Sequence, residues 1–263
     1  MRTQKERGEA FAALHRGPCF VIPNPWDAGS ARVLETLGFQ ALATTSSGFA
    51  FTLGRLDGRV SLDEAEAHVR SVAGATDLPV SVDLENGYGP EPEAAALAIT
   101  RIAAAGAVGG SIEDWDPGGR LYEPGHAAER VAAAAEVARA LGSPFTLTAR
   151  AENHIRDNPD LADTIARLQA YEEAGADVLY APGLRSGDDI RAVCQAVSKP
   201  VNALAWPAMS MAEVVEAGAR RISVGGALTW AAVDALAAAA TRIRDHGDFS
   251  GLRPSPPLAE WFA

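Results

Sequence analysis

The sequence predicts an α/β protein folded as a (β/α)8 TIM barrel, and three observations carry that expectation. Eight strand-like apolar runs alternate with helical patterns along the 263 residues, a repeat of about 30 residues per unit. Four helical patterns end on one signature, a glycine feeding directly into the next strand: Thr36-Leu-Gly-Phe-Gln, Ala104-Ala-Gly-Ala, Glu173-Ala-Gly-Ala-Asp and Glu216-Ala-Gly-Ala-Arg. No G-x-G-x-x-G follows the first strand, which argues against a dinucleotide-binding open sheet.

Taken in order, residues 2 to 16 place Phe11, Ala12 and Leu14 among charges and read as an N-terminal helix ended by Gly17-Pro18. Strands are expected at Cys19 to Ile22, Ala41 to Thr45, Leu78 to Val82, Gly109 to Ile112, Phe145 to Thr148, Asp177 to Tyr180, Pro200 to Ala203 and Arg221 to Val224. Helices are expected at Asp27 to Leu37, Ser61 to Gly74, Glu91 to Gly106, Gly125 to Leu141, Asp160 to Gly175, Asp188 to Val197, Ser210 to Gly218 and Trp230 to Asp245. The stretch from Gly247, with Pro254, Pro256 and Pro257 before Leu258-Ala-Glu-Trp-Phe-Ala, reads as a helical tail that docks on its own barrel or on a neighbouring subunit.

Composition bounds the rest. A 48% hydrophobic content supports one barrel-sized domain over residues 1–263, with 247–263 as its tail. A formal net charge of -11 repels phosphate backbones and anionic lipid, so neither nucleic acid nor a membrane surface is an expected partner. The charged N-terminus has no apolar stretch of signal-peptide length before Pro18, and the alanine-rich runs are interrupted by charge, so a cytoplasmic location is expected. Cys19 and Cys194 cannot make a disulfide framework and read as small core residues. Of the two lysines, Lys199 precedes the seventh strand and Lys5 lies outside the barrel, which excludes a Schiff-base aldolase.

Barrel enzymes carry their chemistry at the C-terminal strand ends. Two expected strands end there in acids, Asp83 with Glu85 in Ser81-Val-Asp-Leu-Glu-Asn-Gly-Tyr-Gly89 and Glu113 with Asp114 in Ser111-Ile-Glu-Asp114. Carboxylates gathered at one rim repel each other at a cost of several kcal/mol unless protons or a cation intervene. An all-oxygen set suits Mg2+, or Mn2+, better than Zn2+. Three or four of Asp83, Glu85, Glu113 and Asp114 are therefore expected to gather around such an ion. Trp26, Ser46, Ser47, Gly48, Phe49, Asp83, Arg150, His154 and Asn202 are candidate substrate contacts on the same rim. His154 is a candidate general acid or base, or a loop histidine satisfied by a neighbour. His15, His68 and His246 are expected on helix surfaces away from the rim.

Asn24-Pro-Trp-Asp-Ala-Gly-Ser-Ala31, Thr45-Ser-Ser-Gly48, Asp83-Leu-Glu-Asn-Gly-Tyr-Gly89, Ile112-Glu-Asp114 and Ala149-Arg-Ala-Glu152 occur in collinear order over roughly residues 18 to 245. Together they resemble the isocitrate lyase / phosphoenolpyruvate mutase superfamily. The resemblance implies a Mg2+-dependent barrel, a homo-oligomer (dimer or tetramer) with an exchanged terminal helix, acting on small 2-oxo or enol acids. By resemblance, Asp83 would sit next to the metal, with Glu85 and Glu113 contacting metal-bound water and Asp57 a further acid behind them. Ser47, Gly48 and Phe49 would offer a hydroxyl and backbone N–H groups to the substrate carboxylate. Arg150 would bind that carboxylate or the enolate oxygen.

The chain also departs from the pattern. Glu85 and Glu152 stand where the family consensus has Asp. Where isocitrate and methylisocitrate lyases carry Lys-Lys-Cys-Gly-His, this chain reads Trp115-Asp-Pro-Gly-Gly-Arg-Leu-Tyr-Glu-Pro124, with no cysteine for proton transfer and no lysine of the mutase gating loop. A phosphonomutase-like member without the lyase motif is the expectation, with Gly118-Gly119 as a hinge and Arg120 or Tyr122 closing over substrate. The expected reaction is cleavage or decarboxylation of a small 2-oxo or 2-hydroxy (di)carboxylic acid through an enolate. The alternatives are a phosphomutase or hydrolase acting on phosphoenolpyruvate or phosphonopyruvate, and a non-catalytic 2-oxo-acid binder.

Overall fold

In a computed structural model, which describes residues 2–262, all eight expected strands are present and pair in parallel into one nearly closed barrel. The elements run α1 (Gln4–Leu14), β1 (Phe20–Ile22), α2 (Ala28–Thr36), β2 (Leu42–Ala43), α3 (Ser46–Thr52), α4 (Leu62–Gly74), β3 (Val80–Asp83), α5 (Pro92–Ala104) and β4 (Gly109–Glu113). A short antiparallel hairpin follows, β5 (Trp115–Asp116) and β6 (Arg120–Leu121), then α6 (Pro124–Ala140) and β7 (Thr146–Arg150). The chain continues through α7 (Leu161–Glu173), β8 (Val178–Tyr180), α8 (Gly187–Ala196), β9 (Val201–Leu204), α9 (Met211–Glu216), β10 (Arg221–Ser223), α10 (Ala227–His246) and α11 (Leu258–Trp261).

The barrel strands lie in the order β1-β10-β9-β8-β7-β4-β3-β2. The seam between β2 and β1 is drawn together by the Ala43 N–H donating to Pro23 O at 3.0 Å and the Asn24 amide donating to Thr44 O at 3.0 Å. The glycine caps behave as the sequence predicts: Gly38, Gly106, Gly175 and Gly218 all adopt positive φ. Capping hydroxyls and carboxylates at Thr3, Asp27, Ser61, Asp160, Ser186 and Ser210 start the helices. Behind β3, β4 and β7, helices α5 and α6 pack against an apolar layer that includes Leu84, Ile99, Ile102, Val131 and Leu147.

Beyond the expected elements, Ser46–Thr52 forms a helix, because the Thr45 hydroxyl caps it and accepts the Gly48 N–H. The surface placement expected for two histidines is corrected. His15 is buried beneath the barrel, T-stacked between Phe11 and Phe20, and His68 is buried with its ring stacked at 3.9 Å on Phe49. Each lies on the inward face of its helix, which position on a charged helix does not reveal. Cys19 and Cys194 are free thiols, half-buried and packed against the hydrophobic core. The tail, for its part, returns to its own barrel: Arg32 of α2 donates to Phe262 O and Thr36 to Trp261 O. Among the described residues no helix is long and apolar enough to cross a membrane.

Candidate active site

Strands β3, β4 and β7 end side by side, with Asp83 registered against Ser111 and Glu113 against Arg150. Arg150 occupies the centre. Its guanidinium lies 3.5 Å from Asp83 Oδ1 and 3.3 Å from Glu113 Oε2, and its Nε donates to Glu152 Oε1. Burial works against the Arg150 charge, but Glu152, Glu113 and Asp83 outweigh it and hold the guanidinium firmly protonated.

The acids around it are less settled. Burial raises Glu113 well above the usual carboxylate range despite Arg150, with Glu152 and Asp83 adding repulsion. Burial, then Asp83 and Asp57, push Glu85 up to about 8, and desolvation of its carboxyl, then Asp83, also raises Asp57, although that residue as a whole is exposed. The Ser46 hydroxyl, close to Asp57, works against that rise, and the Ser46 N–H donates to Asp83 Oδ2 at 3.1 Å. Glu85 Oε1 is buried with no hydrogen-bond partner. A cavity of about 220 Å3 opens onto this group, lined by Asp57, Arg59, Glu85, Glu113, Arg150 and Arg156 among others.

Local backbone geometry aims these side chains. Glu85 and Tyr88 sit in the left-handed region, at φ 49° and 63°, with Gly87 at 79° between them, so the chain leaves β3 in a tight turn. Arg130 of α6 clamps that turn from behind: it donates to Asn86 O, Gly89 O and Glu113 O, and its guanidinium lies 4.5 Å from the Tyr122 ring centre. Asp114, the neighbour of Glu113, faces away from the cavity and accepts from Tyr171, Arg167 and the Glu152 N–H. It braces β4 against β7 and α7.

The expected site residues therefore divide. Asp57, Asp83, Glu85, Glu113, Arg150 and Ser46 converge, whereas other candidates are committed elsewhere. The Gly48 N–H is taken by the Thr45 hydroxyl and the Phe49 N–H by Thr45 O, so in this structure neither is open to a substrate carboxylate. A Cβ on Gly48 would meet Thr229 Oγ1 at 2.6 Å, so close packing of α3 on α10 accounts for that glycine. Ser47 reaches the Thr45 hydroxyl at 3.1 Å. Trp26 holds His68 through its carbonyl, at 2.9 Å. Asn202 lines a small cavity of about 60 Å3 in the barrel lumen together with Asp83 and Arg150, but its oxygen accepts from Arg221 and its amide donates to Ser223. His154 packs on Gly183 with its Nε2 buried and unpartnered, outside the lining of the 220 Å3 cavity. Tyr122 is buried and accepts from the Asn86 amide, so it is wall rather than lid.

Sequence reasoning missed Arg156 and Arg130. Arg156 follows Asn153–Ile155 and pairs with Glu152 at 2.9 Å, and its guanidinium lies 4.4 Å from the Trp115 ring centre. The only signal was its spacing of four from Glu152. Arg130 carried no signal, since a helix arginine is usually a surface residue.

Among the described residues, no three His, Cys, Asp or Glu side chains close tightly enough to enclose an ion by themselves. The unpartnered Glu85 oxygen, the repelling acids and the all-oxygen donors nevertheless suit a hard cation that keeps several waters.

Comparison with known proteins agrees with this geometry. A solved structure from Burkholderia cenocepacia J2315, described only by class as a lyase/mutase, superposes with a TM-score of 0.95 at 49% identity, over 99% of this chain and 96% of that one. A second from the same organism, described as a phosphonomutase, gives 0.86 at 38% identity, over 91% and 99%. The oxaloacetate decarboxylase of Rhodopseudomonas palustris (strain BisB18) is 30% identical over 260 residues, 90% of this chain and 86% of its own. The phosphoenolpyruvate phosphomutase family profile matches residues 11–244. By that match, and by a barrel that gathers Asp83, Glu113 and Arg150 at its strand ends, the chain belongs to the phosphoenolpyruvate phosphomutase family, within the isocitrate lyase / phosphoenolpyruvate mutase superfamily.

Proposed function

We propose that this protein is a Mg2+-dependent lyase or decarboxylase, able to use Mn2+, that breaks a bond beside the carbonyl of a small 2-oxo or 2-hydroxy dicarboxylic acid. The observation that carries the reading is Arg150, held between Asp83, Glu113 and Glu152 at the floor of the 220 Å3 cavity. When such a C–C bond breaks, its electron pair moves toward the carbonyl oxygen and an enolate develops. Arg150 sets a fixed positive charge where that oxygen forms, and the three acids prevent it from swinging away. Asp83 would hold the metal directly and Glu85 and Glu113 through water, and the bound ion would supply Lewis-acid charge to the same oxygen. Ser46, which lines the same cavity, would offer its hydroxyl to the substrate carboxylate. The kinship with an oxaloacetate decarboxylase over most of both chains supports a dicarboxylic substrate.

Purified protein supplied with oxaloacetate and a panel of 2-hydroxy dicarboxylates should release a 2-oxo acid product. EDTA should stop turnover, and added Mg2+ or Mn2+ should restore it. Turnover that survives exhaustive chelation overturns the reading. A second reading, P–C or P–O chemistry on a phosphonopyruvate-like acid, is favoured by the phosphonomutase-described relative. Phosphorus NMR of the reaction mixture separates it, because only that chemistry moves a phosphorus resonance.

The same reading includes a homo-oligomer with an exchanged terminal helix. Within α10 only Thr229 is buried, while Trp230 and Leu236 stand 42% and 66% exposed. An apolar 20-residue helix left this bare fits burial against a second copy. Light scattering coupled to gel filtration should give a dimer or tetramer, and a monomer at micromolar concentration sinks this part.

A further inference from the structure

The cavity has a second guanidinium, at its mouth. Arg156 follows the short turn Asn153–Ile155, and that turn is pinned from below: the buried Asn153 amide donates to Asn158 O, Asp160 O and Thr164 Oγ1. The pinned backbone sends Arg156 back over the rim. Its Nε and Nη2 engage Glu152 Oε2, and Nη2 stands 3.8 Å from Glu113 Oε1. The Trp115 ring backs its flat face. Nη1 has none of these partners.

The two arginines are thus stacked along one path. Glu113 and Glu152 each lie between them, with Glu113 Oε2 toward Arg150 and Oε1 toward Arg156. Arg150 is 17% exposed and Arg156 31%, so one faces the reacting end of the cavity and the other its opening. A three-carbon keto acid lying against Arg150 has no group to offer Arg156. A longer acid with a second carboxylate does.

Resting on the function proposed above, the geometry points to Arg156 as the specificity residue that binds the distal carboxylate of a 2-oxo dicarboxylic acid. The free Nη1 edge donates to that carboxylate, while Glu152 and Trp115 fix the plane of the guanidinium, so little side-chain freedom is lost on binding.

Calorimetric titration in Mg2+ with pyruvate and with 2-oxoglutarate tests this without turnover, and the readout is the ratio of the two affinities. The wild type should prefer the dicarboxylic acid by tenfold or more. R156Q should bring the two affinities to within about twofold. R70Q, with the same charge change on the exposed face of α4, should keep the wild-type preference. An unchanged ratio in R156Q, or an equal loss in R70Q, overturns the assignment of Arg156. If pyruvate binds the wild type with no preference for the longer acid, this inference falls and the proposed function stands. If neither acid binds, both fall.

Discussion

The two mouths of the barrel bury charge in opposite ways. At the N-terminal mouth a single cation, Arg221, is enclosed and pushed down to about 10 by burial. Its partners are an amide, a hydroxyl and an imidazole: Asn202 Oδ1 at 2.8 Å, Thr148 Oγ1 at 3.1 Å and His15 Nε2 at 3.4 Å. His15 adapts to it. Burial and then Arg221 push the imidazole down to about 3, and its Nδ1 donates to Phe11 O, so Nε2 is free to accept. At the C-terminal mouth, acids outnumber the arginines among them, Glu85 Oε1 has no partner, and a cavity opens beside it. Burial costs free energy at both ends. At the floor, neutral donors and acceptors offset the cost, which is a structural solution. At the rim the offset is incomplete, and an incomplete offset beside open space is the physical signature of a ligand site.

The largest predicted effect comes from removing the cation the rim depends on. R150Q should lower turnover by about 10²–10³-fold, the usual cost of losing a charge-stabilising donor. It should also cost about 3–5 kcal/mol in urea unfolding without metal, because Asp83, Glu113 and Glu152 lose their common partner. Unchanged stability would mean that those acids are not energetically tied to Arg150, and the contrast between the two mouths would disappear.

A smaller effect, with opposite sign at each end, is predicted for pH. Glu85 is raised in the folded state, so folded protein holds a proton that unfolded chain releases between its ordinary carboxylate range and about pH 8. Wild type should lose stability as pH rises through that window. E85Q, in metal-free buffer, should gain on it by up to a few kcal/mol at roughly 1.4 per pKa unit. His15 is lowered, so unfolded chain takes up a proton that folded protein refuses as pH falls from its ordinary value to about 3. Wild type should lose stability on that acid limb, and H15Q should flatten it while leaving turnover at neutral pH in place. Parallel pH curves for wild type and either variant would remove that residue from the comparison.

Much of the fold was legible because barrel strands and helix caps are local signals. The eight apolar runs and the Ala-Gly-Ala caps need only neighbours in the chain to be recognised. The same holds for Asp83, Glu113 and Arg150, since the last residues of parallel strands must meet at one rim. Residues whose role depends on direction were not legible. His68 lies on a charged helix, yet its ring turns inward to Phe49, and Asn202 is the second residue of β9, where its amide is spent on Arg221 and Ser223. Asp114 adjoins Glu113 and is bound by Tyr171 and Arg167 on the other face of the sheet, as strand alternation requires once the register is known.

By itself, then, the sequence determined the alternation of strands and helices, the rim that would carry the chemistry, and the acids and arginine placed there, because period, capping and strand ends are read along the chain. Tertiary structure decided which of those groups share a cavity, which protons they keep, and that Arg156, unremarkable in sequence, stands at the opening. Those outcomes depend on burial and on charges brought together from different strands. The free energy of a buried charge is set by what surrounds it in space, which no single stretch of chain contains.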